Sequence, residues 1–312
     1  MDLIINGRKK DENIEINVDQ TDAERASSHR NEGDLRQLNL SNNYLFVKVM
    51  EDKELCRRVL EKILRMPIRS VSFVNTEESV RILPAGKGIR MDVYVNDAEG
   101  TVYNVEMQTG TSDNLPKRAR YYQGTLDLDQ FPAGDNYELL RRTYIIFICT
   151  FPLFDANLHL YTFVNTCEEN PSIRLGDETT KIFLSTCGKL DDIDEDLSEF
   201  LKYVEHSTDE TAENSGSQLV RDIHSRVRDI KDTRRYQVEY MNLYMYEKEI
   251  ERKATERGLA KGLEQGLEQG LKQGRSDQCR EDVGRMADYL QKINPNLSRV
   301  EAVAQAESVL KP

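Results

Sequence analysis

A mixed α/β fold, with helices packed on a sheet, is what this 312-residue sequence predicts. Three observations carry that expectation. The stretch IRMDVYVNDAEGTVYNVEMQ, residues 89–108, alternates apolar and polar residues around a tight turn and reads as a hairpin. The run RTYIIFICTF is almost continuously apolar, β-branched or aromatic, as a central buried strand is. Helical spacing before and after the hairpin places helices between the strands, which is the order of a mixed layered fold.

The elements follow in sequence. Residues 1–38 are polar, acidic and poor in aromatics, a composition expected to stay disordered or only partly ordered. NNYLFVKVMEDKELCRRVLEKIL spaces Leu45, Phe46, Val49, Leu55, Val59, Leu60, Ile63 and Leu64 as a helix does, with Pro67 just past its end. IRSVSFVN is the next strand, and the hairpin occupies 88–109. LPKRARYYQGTLDLDQF, 115–131, reads as a second helix with Pro116 in its first turn. After RTYIIFICTF, the segments HLYTFVNTC and KIFLSTC are further strands. The core is expected over 39–205 and a charged helical extension over 206–257, its basic residues forming a solvated face.

Residues 258–275 hold a four-residue repeat, GLAK GLEQ GLEQ GLKQ G. Leu259, Leu263, Leu267 and Leu271 form a slowly rotating stripe on a helix. Each Gly costs about 1 kcal/mol in a helix interior. The segment is therefore a flexible linker or a self-association element, the latter giving a homodimer through 250–275. Residues 276–312 read as a short helical segment broken at Asn294-Pro295.

Composition narrows the function. A net charge of −12 argues against a nonspecific nucleic-acid coat, though not against a local basic groove. Five Cys without a CxxC spacing suit a reducing compartment rather than a disulfide framework or a zinc ribbon. Cys149, Cys167 and Cys187 lie in strand-like runs and are expected to be buried. The four His are scattered. No apolar run approaches a membrane span, and the N-terminal apolar stretch is too short for a signal peptide, so a soluble cytoplasmic protein is expected.

The hairpin carries the chemistry. If Ala98-Glu99-Gly100 is a three-residue loop with Gly100 left-handed, Asp97 lies opposite Thr101 and Asp92 opposite Glu106. Gln108 follows on the same face. Two carboxylates and an amide on one face make a metal-binding arrangement. A two- or four-residue loop would separate them, and a solvated face on an edge hairpin would look the same in sequence.

The succession NYLFVKVM, IRMDVYV…YNVEMQ, LPKRARYYQGTLD, Gly134 to Tyr137, YIIFICTF, YTFVNTC and KIFLST resembles the PD-(D/E)XK nuclease superfamily, specifically the Rpn family of recombination-promoting nucleases and transposases. The resemblance implies a restriction-endonuclease-like mixed sheet flanked by helices, with a helical C-terminal extension. It implies hydrolysis of DNA phosphodiesters with Mg²⁺, Mn²⁺ substituting, in recombination, mobile-element or defence processes. Asp92 and Glu106 match the family's metal-binding carboxylates, with the Met107 backbone carbonyl as a further oxygen. Gln108 falls where the wider superfamily has Lys, and Gln is common there in this family. An acid on the first helix often completes such a site. Glu54, with Glu51 and Glu61 as alternatives, is the candidate here, and Asn43 stands where many relatives carry Asp. Lys117, Arg118, Arg120 and Tyr122 are candidates for DNA binding. A nuclease-fold protein that binds DNA or protein without cutting, and an interaction protein built around the repeat, remain the other readings.

Overall fold

A computed structural model describes residues 33–73, 91–110, 114–130, 134 and 136–310. The segment expected to lack order lies, as far as residue 32, outside the described residues, as do the end of the strand IRSVSFVN and the first residues of the hairpin segment. Two compact units divide the chain, Met1–Asn242 and Leu243–Pro312.

The first unit opens with two helices, α1 (Asn43–Met50) and α2 (Lys53–Leu64). One helix was expected over this segment. Asp52 interrupts it: its carboxylate accepts from the Glu54 and Leu55 N–H groups and caps a new helix. Strands β1 (Val71–Phe73), β2 (Val93–Asp97) and β3 (Val102–Gln108) follow. Helix α3 (Leu115–Gln130) leads into β4 (Thr143–Cys149), β5 (Leu160–Phe163) and β6 (Thr179–Ser185). Among the described residues these strands form one six-stranded sheet in the order β1-β2-β3-β4-β6-β5. The β1-β2-β3 meander is antiparallel, β3, β4 and β6 are parallel, and β5 closes the edge antiparallel to β6.

The central strands are buried on both faces, which explains the unbroken apolar run of β4. On one face Tyr103, Val105, Met107, Ile146 and Ile148 join Phe46, Val59 and Leu60 of α1 and α2. Helices α4 (Glu195–Glu205), α5 (Asp209–Glu213) and α6 (Gln218–Asp232) complete this layer. Leu219, Val220, Ile223, Val227 and Ile230 of α6 are all buried in it. The compact unit thus continues past residue 205, because α6 has a full apolar face beneath its charged one. On the opposite face Ala119, Tyr122 and Leu126 of α3 cover Ile145, Phe147 and Phe183. Cys149 is buried in β4, whereas Cys167 and Cys187 lie past the ends of β5 and β6 and are only partly covered.

Helix α7 runs from Arg234 to Ile293, 60 residues, and α8 from Arg299 to Leu310. The turn between them falls at Asn294-Pro295, where the sequence placed it. In the second unit, Ala302 and Ala306 pack on Val283 and Ala287. The repeat is helical throughout, and Leu259, Leu263, Leu267 and Leu271 are 57–68 % exposed.

Candidate functional site

The hairpin sets the geometry. Gly100 has φ +85° and ends a three-residue loop. Asp97 N–H donates to Thr101 O at 3.0 Å, and the Asp97 carboxylate accepts from the Glu99 and Thr101 N–H groups. Val93 then pairs with Val105 and Asn96 with Val102. One step beyond Val93, the Asp92 N–H donates to Glu106 Oε1 at 3.2 Å. Asp92 Oδ2 accepts from the Met107 N–H at 3.0 Å. Asp92 and Glu106 are therefore neighbours at the end of the β2–β3 ladder.

The Asn43 side chain, in the first turn of α1, donates to Asp92 Oδ1 at 2.8 Å. The acids considered on the first helical segment are held elsewhere. Glu51 pairs with Lys48, Glu54 with Arg57, and Glu61 with Arg57 and the Ile68 N–H. Among the described residues no group of three or more His, Cys, Asp or Glu side chains is placed to hold a metal. The acids that meet at the site are the Asp92–Glu106 pair.

That pair suits a hard divalent cation. Glu106 is buried, and burial, followed by the negative charge of Asp92, holds its carboxyl well above the usual carboxylate range. The Asp92 N–H and the Arg118 charge pull the other way. Two acids packed this closely repel each other unless a proton or a cation lies between them. Carboxylate oxygens with retained waters are the ligands Mg²⁺ prefers. The Met107 carbonyl accepts from the Gln108 side-chain amide at 2.8 Å, which leaves it one further lone pair.

Gln108 and Arg118 form the next layer. Arg118 Nη1 donates to Gln108 Oε1 at 2.7 Å and Nη2 to the Tyr122 hydroxyl at 3.2 Å. Nη2 also lies 4.0 Å from Glu106 Oε2. The guanidinium sits over the Tyr122 and Phe147 rings, 5.6 and 5.5 Å from their centroids. Spacing of i and i+4 puts Arg118 and Tyr122 on the inner face of α3. The same periodicity turns Lys117, Arg120 and Tyr121 outward. Tyr122 itself is buried, and burial raises its hydroxyl above the usual tyrosine range.

Two residues at the site had no place in the sequence reading. Phe147 supports Arg118 from the parallel neighbour strand, a pairing no local pattern announces. Asn104 is fully buried on the Glu106 face of β3. Neither of its side-chain polar atoms has a hydrogen-bond partner among the described residues. The signal for it was present: Asn104, Glu106 and Gln108 are alternate polar positions in an otherwise apolar strand.

The family model for PD-(D/E)XK nuclease family transposases matches residues 41–257. No significant match was found among curated proteins or among solved structures. The family match spans the sheet, both carboxylates and α3, and reaches into α7, so the order of elements and the site are matched together. On that extent of agreement, the chain belongs to the PD-(D/E)XK nuclease family transposases.

Proposed function

We propose that this chain is a metal-dependent DNA endonuclease, with Asp92 and Glu106 holding Mg²⁺ and Mn²⁺ able to replace it. The observation that carries the reading is the meeting of two carboxylates, Gln108 and a cation at one end of the β2–β3 ladder. The bound metal supplies a polarised phosphoryl oxygen and a more acidic water. Water oxygen bonds to phosphorus, one bridging P–O bond breaks, the leaving oxygen takes a proton and the water gives one up to solvent.

The chain's own residues prepare this step. Asn43 and the Met107 N–H fix the Asp92 carboxylate from two sides. Gln108, tied to Met107 O and Arg118, keeps the amide side by side with the acids. Lys117 and Arg120, exposed on α3, are placed for backbone phosphates, and Tyr122 acts by orienting Arg118. Self-association through 250–275 would bring two single-cut sites to one duplex.

Plasmid nicking in Mg²⁺ or Mn²⁺ tests the reading. Wild type should nick, and pure, folded Asp92→Ala and Glu106→Ala should each lose cleavage. Equal nicking by both variants contradicts the site. Binding of DNA without cleavage by wild type favours a silent nuclease-fold binding protein.

A further inference from the structure

The neutral Gln108 leaves the site without the lysine charge that its superfamily pattern places there. Its amide is also engaged at both ends, donating to Met107 O and accepting from Arg118. We infer that Arg118, arriving from α3, is the site's phosphate-binding cation and that Gln108 is the bracket that holds it. This rests on the nuclease reading of the same site.

The guanidinium is fixed from several sides. Gln108 Oε1 takes Nη1, the Tyr122 hydroxyl takes Nη2, and the Phe147 and Tyr122 rings lie against it. Nη2 stands 4.0 Å from Glu106 Oε2, so the charge is beside the carboxylates without a tight ion pair. The Arg118 side chain is 33 % exposed, which leaves part of it open to an incoming group. Lys117 and Arg120 point out of the opposite face of the helix.

The chemistry needs such a charge. A phosphodiester carries one negative charge and gains another as water adds, beside two carboxylates. A guanidinium suits paired non-bridging oxygens through parallel N–H donors. It does not deprotonate, so it stabilises charge and relays no proton. A pre-set donor of this kind supplies a large part of transition-state stabilisation because it does not reorganise.

A charge transfer between positions tests this. Arg118→Met keeps an apolar stem over the two rings and removes the charge. Arg118→Gln serves if the Met variant does not fold. Arg118→Met combined with Gln108→Lys returns a cation to the superfamily position. Two readouts are taken on the full chain: the nicking rate in Mg²⁺, and the slope of log K against log salt for an uncut duplex in EDTA. Arg118→Met should lose about 100-fold in rate. Its salt slope should fall by about 0.9, the value for one neutralised phosphate. The double variant should regain about tenfold or more in rate, a substantial part of one lost donor's effect, and the lost slope. A slope unchanged by Arg118→Met, or a double variant that recovers neither readout, overturns the assignment and makes Arg118 a packing residue. Absence of cleavage by wild type would defeat the nuclease reading alone, since the salt slopes still decide whether Arg118 meets a phosphate.

Discussion

Asn43 Nδ2 donates to Asp92 Oδ1 at 2.8 Å, joining the first turn of α1 to the end of the β2–β3 ladder. Asn42 already caps α1 through its side chain, so Asn43 is released to point at the acid pair. In this chain a neutral donor stands where an acid would add a third negative charge.

Asn43→Asp should therefore separate the metal-free and metal-bound proteins. In EDTA the new carboxylate faces Asp92 and loses the hydrogen bond, at a cost of about 1–2 kcal/mol. That corresponds to a Tm lower by several degrees. Added Mn²⁺ should raise the Tm of the variant more than that of wild type, because a third carboxylate binds the ion. Thermal melts with and without Mn²⁺ measure the difference. Equal Mn²⁺ shifts would place Asn43 outside the metal's reach.

Glu106 gives the site a pH signature. Its folded carboxyl sits above its unfolded value because of burial and then Asp92. A raised group contributes stability below the unfolded carboxylate value of about 4.3 and loses it as pH rises through the folded value. Metal-free wild type should thus lose stability as pH climbs from that value through neutrality. Glu106→Gln keeps an oxygen for the Asp92 N–H and cannot ionise. In EDTA it should melt a few degrees higher than wild type at pH 8, the scale of roughly 1 kcal/mol, and show little gain at pH 4. Parallel melting curves across pH for the two proteins would contradict the raised carboxyl.

Gly100 fixes which side chains meet. Its φ of +85° is one that side-chain-bearing residues adopt at a cost, although nothing stands within 4 Å of where a Cβ would go. Gly100→Val should cost about 1–2 kcal/mol from backbone strain alone, β-branching adding to the penalty. Urea unfolding reads the loss. An unchanged midpoint would mean that the loop relaxes freely and does not hold the register.

The hairpin register was legible in sequence because local rules settle it. A loop of three with a terminal Gly fixes which residues pair, and period-two alternation then fixes the face. The same locality revealed α3 and the Asn294-Pro295 break. Other features are not revealed by the spacing of apolar residues alone. Asp52 divides one helical pattern into two because its carboxylate outcompetes continuation of the helix. The apolar face of α6 lies under alternating charges in the sequence, and its packing on α1, α2 and α4 is what defines it. Arg118 is legible in the sequence as a DNA-binding candidate on one face with Tyr122, but only the parallel pairing of β3 with β4 brings Phe147 beside Gln108 and around it.

The repeat offers a separate test. A single helix leaves Leu259, Leu263, Leu267 and Leu271 exposed, while the Gly of each repeat leaves room for close approach of a second helix. Light scattering should find the full chain as a dimer at micromolar concentration and a chain ending at Glu249 as a monomer. Leu263→Lys with Leu267→Lys in the full chain should weaken the dimer by about tenfold or more, since each buried Leu contributes about 1.5–3 kcal/mol. A monomeric full chain would make the segment a linker.

Central to the account is a divalent ion held between Asp92 and Glu106. A crystal structure with Mn²⁺, read by its anomalous signal, tests this most directly. The expected result is one peak within coordination distance of an oxygen of each carboxylate, lost in Glu106→Ala. A peak elsewhere, or none in wild type with the two acids still paired, would contradict it.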